Sequence, residues 1–329
     1  MSTSVHATPT TDEAVHRRPS AGDRLTSFMP VIALVAIIAA LTVADPDFLT
    51  RSSLTAAINT AAPLAVLAGG ATLVVLCGGI DLSIAAMASL STVFLALWLP
   101  DLVGLTTFAV IAVAALIGAV QGAAHVYLRI PSFIVTLGGM SIFASVALVV
   151  SDAGTVPVVD DSPIRWLNLY IGGYIPTSVV AVAVIGALAL VIKATPLDSW
   201  IKATGYSEAA ARLAGIPVDR VKIGAFCVSG ACAGLAAVML VSRNYSGSPT
   251  MADNLLLPAV AAIVVGGTAI TGGHGSLWRS LAGALVVTLL RVGLPIVGVP
   301  SAYEQILYGA IIVVAVALTL DRSKVLIIK

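Results

Sequence analysis

Few side chains inside the apolar segments of this sequence can do chemistry, and their types suit hydrogen bonding rather than catalysis. Asn59 and Gln121 carry amide groups, which we expect to face either a polar path or a neighbouring helix. Asp81 and Ser83 follow a pair of glycines in the segment Gly-Gly-Ile-Asp-Leu-Ser. Insertion of a charged side chain at the centre of a bilayer costs about 2.5–3.5 kcal/mol on an insertion scale. Polar and charged residues inside the apolar segments therefore mark packing or functional sites.

Two glycine-rich breaks interrupt the apolar runs and contain most of the remaining candidates. The first is Gly78–Ser83 and the second is Gly266–Ser276. Glycine allows helices to approach closely, and it lets the backbone bend where it lines protein or water. Asp81 and Ser83 either cap the helix that follows them or border a gate. The gate and path candidates are Asn59, Gly78, Gly79, Asp81, Ser83, Gln121, Gly266, Gly267, Gly272 and Gly273.

The sequence contains none of the common motifs of catalytic or self-powered proteins. It has no phosphate-binding loop of the form Gly-x-x-x-x-Gly-Lys-Ser/Thr, no His-Glu-x-x-His pair and no nucleophile elbow. It also lacks a cluster of metal-ligand residues and the series of buried charges that proton-coupled carriers use. We therefore expect a protein that is not an enzyme, with no catalytic, cofactor-binding or metal site.

The composition indicates a membrane protein. Hydrophobic residues make up 59% of the chain and charged residues 10%, against roughly 25% charged residues in soluble domains. The mean hydropathy is +1.05. Such a chain has too little polar surface to cover a soluble core, so lipid must be its solvent. The net charge of +1 gives no reason to expect a nucleic-acid partner.

Apolar segments long enough to span a bilayer recur along the chain, and they predict an all-α polytopic membrane protein. A span needs about 20 residues. Residues 1–27 are polar and rich in Ser, Thr and Pro, which predicts a disordered cytoplasmic tail before a single transmembrane domain, 28–329. The ten predicted spans are 28–44, 54–77, 82–99, 102–124, 132–150, 174–192, 221–241, 256–271, 276–297 and 303–320.

The basic residues predict the orientation of these ten spans. With the N-terminus in the cytoplasm, 13 of the 17 Lys and Arg fall in cytoplasmic segments and four in outer segments. An excess of basic residues is typical of cytoplasmic loops. We therefore expect both the N-terminus and the C-terminus to be cytoplasmic.

The most charged stretch outside the N-terminal tail lies between the sixth and seventh predicted spans, at residues 203–222. Ser207 is placed to cap a short helix over Glu208–Ala214, and Gly215 is placed to end it. Pro217 prevents simple continuation, and Asp219 is placed to cap the next membrane helix. This stretch is either an ordinary connecting loop or a short amphipathic helix that a soluble partner moves.

Five elements in this order resemble the permease subunits of bacterial ABC importers for monosaccharides, of the ribose, xylose and galactose type. The resemblance covers nearly the whole chain from about residue 46. Its elements are Pro46–Thr50, Gly78–Ser83, Ile130–Gly138, Glu208–Ile216 and the glycine break from Gly266 to Gly273. The general permease pattern has Gly where this chain has Ala214, and here Gly215 follows one position later.

The resemblance implies a subunit that works by alternating access within a larger assembly in the bacterial inner membrane. That assembly has a second permease copy or a paralogue, two cytoplasmic ABC ATPase subunits that use ATP and Mg²⁺, and a periplasmic or lipid-anchored sugar-binding protein. This chain itself would need no cofactor. The short helix would then be the ATPase-coupling helix, with the residues Ser207, Glu208, Ala209, Ala210, Arg212 and Gly215.

Three other functions stay open at this point. The same architecture could carry a polyol, a nucleoside or a sugar-like signal molecule. A stand-alone secondary carrier is disfavoured because buried ionisable groups are few and the basic loop is large. A membrane anchor or scaffold does not explain why polar residues and glycine breaks lie inside the spans.

Overall fold

The computed structural model describes residues 21–102, 105–159, 164–165, 170–171, 175–176 and 178–319, and these residues are almost entirely helical. The helices are α1 (Ala21–Ala44), α2 (Arg51–Leu76), α3 (Ile84–Leu102), α4 (Thr106–Tyr127), α5 (Ser132–Val150), α6 (Ser178–Ala194), α7 (Leu197–Tyr206), α8 (Glu208–Leu213), α9 (Val218–Asn244), α10 (Leu256–Val265), α11 (Leu277–Ile296) and α12 (Glu304–Thr319). Single turns of 3₁₀ helix lie at Pro46–Leu49, Asp253–Leu255 and Ser301–Tyr303.

Each of the ten predicted spans overlaps one of these helices, namely α1 to α6 and α9 to α12. Among the described residues, α2, α4, α5, α9 and α11 are long and apolar enough to cross a membrane. The number becomes six if α6 and α7, which are bent by 82° at their junction, form one span. Shorter apolar helices lie at Val31–Ala44, Ile84–Pro100, Asp253–Val265 and Ser301–Val314. The chain is an all-α, multi-pass membrane protein; the count of ten spans and the side on which each terminus lies stay predictions.

Most helix boundaries differ from the predicted ones by a few residues, and three differences are larger. α1 begins at Ala21, so residues 21–27 of the predicted tail are helical, while residues 1–20 lie outside the described residues. α7 was not predicted as a separate helix. α10 has 10 residues and is about 15 Å long, half the thickness of a bilayer core. The predicted span continued to residue 271, but residues 266–276 are not helical, and α11 begins at Leu277.

The core is built around α2 and α9. α9 packs along α2, α3 and α4, and α10 packs against α11. Between α4 and α9 the backbones approach closely because glycines face the partner helix: a Cβ on Gly230 would overlap the carbonyl oxygen of Ala114, and one on Gly118 would overlap that of Phe226. Small residues at such crossings are typical of membrane helix pairs.

Two very short antiparallel strand pairs join the loops at one end of the helices. β1 (Val156–Pro157) pairs with β4 (Ser246–Gly247), which ties the loop after α5 to the loop after α9. β2 (Tyr170–Ile171) pairs with β3 (Ile175–Pro176). Each pair has only two residues in each strand, so these strands connect loops and do not form a sheet layer.

Candidate functional site

The first glycine break ends α2 with a backbone reversal. One carbonyl at this helix end, that of Leu76, accepts a hydrogen bond from a distant part of the chain. Gly78 has a φ of +80°, which glycine adopts without strain. The amide of Gly78 donates to the carbonyl of Val75 at 2.8 Å, and that of Gly79 to Val74 at 2.9 Å, the pattern of a Schellman helix end. The carbonyl of Leu76 accepts instead from the amide of Gly273, at 3.0 Å. The two glycine breaks are therefore hydrogen-bonded to each other.

A third glycine, at the end of α7, completes this contact. A Cβ built on Gly272 would lie 2.7 Å from the Cα of Gly78. A Cβ built on Gly205 would lie 2.5 Å from the amide nitrogen of Gly273 and would overlap the carbonyl of Leu76. We call Gly78, Gly205, Gly272 and Gly273 the glycine junction. Three separate backbone segments meet there at distances that allow no side chain.

Asp81, in the same break as Gly78, lies in a buried polar cluster formed by the break and two helices, α4 and α9. Its Oδ1 accepts from the amide of Ser83 at 3.0 Å and from the Ser83 Oγ at 2.7 Å. Its Oδ2 accepts from the Oγ of Ser229, on α9, at 2.7 Å. The Nε2 of Gln121, on α4, donates to the Ser83 Oγ at 3.0 Å. Asp81 and Gln121 are each 6% exposed, and both serines are fully buried. These four residues are the Asp81 cluster.

The backbone of the first break is also held by α5. The amide of Ile80 donates to the Oγ of Ser132 at 3.0 Å, and the carbonyl of Ile80 accepts from the Oγ1 of Thr136 at 3.2 Å. Buried backbone groups need such partners, because an unpaired one costs as much as a lost hydrogen bond. Asp81 therefore does more than bond to the residues that begin α3: its break is fastened to α4, α5 and α9 as well.

Asn59 lies far from the glycine junction. It is 17 residues before Leu76 on α2, about 25 Å along the helix. Its Oδ1 accepts from the Oγ of Ser178, on α6, at 2.5 Å. Its carbonyl accepts from the Nη1 of Arg243, on α9, at 2.6 Å. The structure therefore separates Asn59 from the other path candidates and places it at a contact between three helices.

The charged stretch contains the short helix α8, which has the predicted N-terminus. Ser207 precedes it, and its Oγ accepts from the amide of Ala210 at 3.3 Å. The helix ends at Leu213, one residue earlier than predicted, and Gly215 follows with a φ of +78°. Of its six residues, Ala211 alone is buried, so most of the surface of α8 is exposed.

Ion pairs hold α8 against the beginning of α9. Glu208 accepts from Arg212 at 2.9 Å and from Lys222 at 2.5 Å, and Arg212 also pairs with Asp219. The hydrogen bond from Lys222, together with the one from Arg212, holds the pKa of the Glu208 carboxyl below its ordinary value. The prediction that Asp219 caps α9 is wrong: Pro217 is the capping residue and gives no side-chain bond, because the Asp219 carboxylate binds Arg212.

A polar cavity of about 590 Å³ separates α8 from the connection between α4 and α5. Its walls include Arg129, Glu208, Arg212 and Lys222. His125 lies at its edge, with Nδ1 at 2.6 Å from the carbonyl of Ile130, so this ring braces the connection.

Sequence comparison identifies the group of proteins to which this architecture belongs. Residues 53–316 match the family model described as branched-chain amino acid transport system / permease component. The chain belongs to this permease family.

Curated relatives of this permease match it over nearly its full length. The ribose import permease protein RbsC of Escherichia coli K12 is 33% identical over 296 residues, which cover 87% of the permease and 91% of the relative. RbsC of Bacillus subtilis 168 is 31% identical over 309 residues, 90% of the permease and 92% of the relative. The fructose import permease protein FrcC of Rhizobium meliloti is 31% identical over 304 residues, 88% of the permease and 84% of the relative.

Apart from Asn59, the predicted site residues of the permease fall into four places. Gly78, Gly272 and Gly273 meet at the glycine junction, and Gly79 continues the first break towards the Asp81 cluster, which contains Asp81, Ser83 and Gln121. Gly266 and Gly267 end α10, where a Cβ on Gly266 would lie 2.5 Å from the carbonyl of Arg279 on α11. Ser207, Glu208, Ala209, Ala210, Arg212 and Gly215 form or flank α8.

Several residues of these contacts were absent from the predicted site, among them Gly205, Ser132, Ser229 and Arg243. Gly205 lies in the charged stretch two positions before the capping serine, and that position is the signal that could have identified it. Ser132 and Ser229 resemble any serine in a membrane helix, which most often bonds its own backbone. Arg243 lies at the end of a span, where an arginine is ordinary. Their roles depend on contacts across more than 50 residues of sequence.

Proposed function

We propose that the permease is the membrane subunit of an ATP-binding-cassette importer in the bacterial inner membrane, and that it translocates a monosaccharide of the pentose or hexose type by alternating access. The observation that carries this proposal is the full-length similarity to import permeases named for ribose and fructose. Separate ATPase subunits supply the energy, and the permease itself has no catalytic site. ATP and Mg²⁺ belong to those subunits.

The chemistry of the buried polar groups favours a neutral solute over an amino acid, although the family description names branched-chain amino acids. A free amino acid carries an ammonium and a carboxylate, and each needs a counter-charge when it leaves water. The buried polar groups beside the glycine junction are hydroxyls, an amide and one carboxylate, and the carboxylate already accepts three hydrogen bonds. Hydroxyl and amide groups are suitable partners for the hydroxyls of a sugar.

The surface of α8 supports its role as the coupling helix that binds the ATPase. Leu213 is 91% exposed and Tyr206 is 74% exposed, beside the exposed ion pair of Glu208 and Arg212. An apolar side chain next to fixed charges at a protruding helix end suits insertion into a cleft of a soluble partner. Tyr206 directly follows Gly205 of the glycine junction. Displacement of α8 would therefore be transmitted to both glycine breaks.

A second permease copy, or a paralogue, would complete the path. α5 buries one narrow edge and leaves Gly138, Ser141 and Ser145 exposed along another face. Small and hydroxyl-bearing residues allow a second membrane helix to approach closely, whereas lipid alone needs no such surface. Membrane lipid would cover the remaining apolar surface. A periplasmic or lipid-anchored binding protein would deliver the sugar on the face opposite α8.

Reconstitution tests the proposal directly. The permease would be purified in mild detergent from its own membranes, and co-purifying proteins identified by mass spectrometry. The complex would then be placed in liposomes, and uptake of radiolabelled ribose, xylose, galactose and fructose measured with ATP inside or outside. We expect a stoichiometric ATPase with a phosphate-binding loop, and uptake that requires ATP on the α8 side. Uptake driven by a proton gradient without ATP would instead indicate a secondary carrier.

The same assay decides between sugars and related solutes. Unlabelled polyols, nucleosides and leucine would be added as competitors against the best labelled sugar. If no labelled sugar is taken up, uptake of a labelled polyol or nucleoside would retain the importer and change its substrate. Transport of leucine and not of sugars would contradict the substrate class.

A further inference from the structure

A pocket with two arginines lies at the end of α9 that is opposite to α8. It has a volume of about 360 Å³, and Thr60, Arg243, Asn244, Asn254 and Arg291 are among its lining residues. Lys222, which binds α8, and Arg243 are 21 residues apart on the same helix, about 30 Å along its axis. This distance matches the thickness of a bilayer core. The pocket therefore opens on the membrane face opposite to α8.

A proline explains the position of Arg243. Pro63 lies inside α2 and has no amide hydrogen, so the carbonyl of Asn59, four residues earlier, receives no helical hydrogen bond. The Nη1 of Arg243 donates to this carbonyl at 2.6 Å. One of the five donors of the guanidinium therefore supplies the hydrogen bond that Pro63 cannot give to α2. From this point α2 continues without a further break to the glycine junction.

The charges around the pocket leave it with a net positive field. Arg291 binds Glu304 through its Nε at 3.2 Å, and the Glu304 side chain is 13% exposed. None of the ion pairs among the described residues includes Arg243. The other polar groups named above, Thr60, Asn244 and Asn254, are neutral. Glu304 compensates the charge of Arg291, so the charge of Arg243 is the one left without a counter-ion among these groups, and a carboxylate matches the planar geometry of its guanidinium.

We infer that this pocket receives an Asp or Glu side chain of the sugar-binding protein, and that Arg243 transmits this docking to α2. The inference rests on the proposed function, which places the binding protein on this face. A carboxylate at Arg243 competes for the guanidinium that pairs with the Asn59 carbonyl. Docking therefore weakens the hydrogen bond from Arg243 to the Asn59 carbonyl, and this changes the geometry of α2, the helix that leads to the glycine junction. A neutral sugar would not compensate the remaining positive charge of Arg243, which is why the pocket is assigned to the protein and not to its cargo.

Binding measurements on the complete complex test the docking. The complex in lipid nanodiscs would be titrated with the purified, sugar-loaded binding protein at low and at physiological salt. We expect R243Q to lower the affinity about tenfold and to flatten its salt dependence, because one charge pair is lost. R243K keeps the charge and should retain part of the affinity. The control R220Q removes an exposed arginine from the other end of α9 and should bind like the wild type.

Charge reversal identifies the partner group. R243E should abolish tight binding, and one Asp→Lys or Glu→Lys variant of the binding protein should restore it. P63A returns an amide hydrogen to α2, so it should lower the stimulation of ATP hydrolysis by the docked protein more than it lowers affinity. If R243Q and R243E both bind with wild-type affinity and salt dependence, the inference is overturned. The proposed function still stands in that case, provided that the wild-type complex takes up sugar. A wild-type complex without ATP-driven sugar uptake would overturn the proposed function itself.

Discussion

The Oγ of Ser229, in the middle of α9, donates a hydrogen bond of 2.7 Å to the Oδ2 of Asp81, 148 residues earlier in the chain. This bond joins α9, the longest helix among the described residues, to the break that precedes α3. α9 also begins at the ion pairs of α8 and ends at Arg243, so one helix is in contact with all the polar sites described above. The predictions below test these contacts one at a time.

Removal of the Asp81 carboxylate should destabilise the permease by more than the loss of a helix cap. D81A loses three hydrogen bonds and leaves the buried hydroxyl of Ser229 without its acceptor, while that of Ser83 retains only the longer bond to Gln121, for an expected cost of about 2–4 kcal/mol. A cap alone is worth about 0.5–2 kcal/mol. Thermal unfolding of purified variants would measure the change.

A double-mutant cycle isolates the bond between Ser229 and Asp81. S229A removes one donor, and S199A, which removes an exposed hydroxyl that binds its own helix, is the matched control. We expect S229A to cost about 1–2 kcal/mol and S199A less than about 0.5 kcal/mol. Additive effects of S229A and D81A would mean that the two side chains are not coupled.

A methyl group at Gly205 should disrupt the glycine junction. The Cβ of G205A would meet backbone atoms of Leu76 and Gly273, which cannot move aside as a flexible side chain can. We expect a loss of about 1–3 kcal/mol and loss of ATP-driven sugar uptake. The control G224A introduces the same methyl group on α9 at an exposed position where no atom lies within 4 Å, and it should be neutral or slightly stabilising. Equal behaviour of G205A and G224A in thermal unfolding and uptake would argue against the junction.

Charge reversal on α8 should separate the ATPase from the permease. E208K with R212E places a new ammonium group beside Lys222 and a new carboxylate beside Asp219, so α8 loses its anchoring pairs and its surface charges are exchanged. We expect ATPase co-purification and uptake to fall at least about tenfold, while membrane insertion is retained. The control D198K with K202E reverses a pair of the same spacing on α7, which holds a 2.7 Å bond in the wild type. Retention of the ATPase by the α8 variant would remove α8 from the coupling role.

The depressed pKa of Glu208 predicts a pH dependence. A carboxyl whose pKa is lowered on folding stabilises the folded state above its ordinary pKa, here 4.5, and that stabilisation is lost as the pH falls through the lowered value. The unfolding temperature of the wild type should therefore exceed that of E208Q at neutral pH, and the difference should close below about pH 4.5. A constant difference from neutral pH to pH 3 would show that Glu208 acts through packing and not through its charge.

The positions of the helices were accessible from the sequence because lipid exposure requires long apolar runs. All ten predicted spans overlap a helix. α8 begins after the cap at Ser207 as predicted, and it ends at Leu213, one residue earlier than predicted and two residues before Gly215. The exceptions have physical reasons. α7 has a mixed composition that did not resemble a span. α10 stops at Val265, and glycines of the segment that follows, Gly266 and Gly272, pack closely against other parts of the backbone.

The arrangement of the candidate site was less accessible. Asp81, Ser83 and Gln121 were selected as isolated polar residues, but their mutual hydrogen bonds depend on how α3 and α4 rotate, which hydrophobic periodicity does not determine when every face is apolar. The contact of Gly272 with Gly78 joins segments almost 200 residues apart, and both sequences are compatible with ordinary turns. Arg243 was counted as a charge on one membrane face, whereas its function at the Asn59 carbonyl depends on Pro63 in another helix.

The short length of α10 has a consequence for how the permease is made. The segment 266–276 carries polar backbone to a depth that α10 does not cross, and lipid offers that backbone no hydrogen bonds. Some backbone groups find hydrogen-bond partners within the segment, as in the bond from the Ala269 amide to the His274 carbonyl. The Gly273 amide, however, finds its acceptor on Leu76. This part of the segment is therefore fully hydrogen-bonded only when α2 is in place, and α2 precedes it in the order of synthesis.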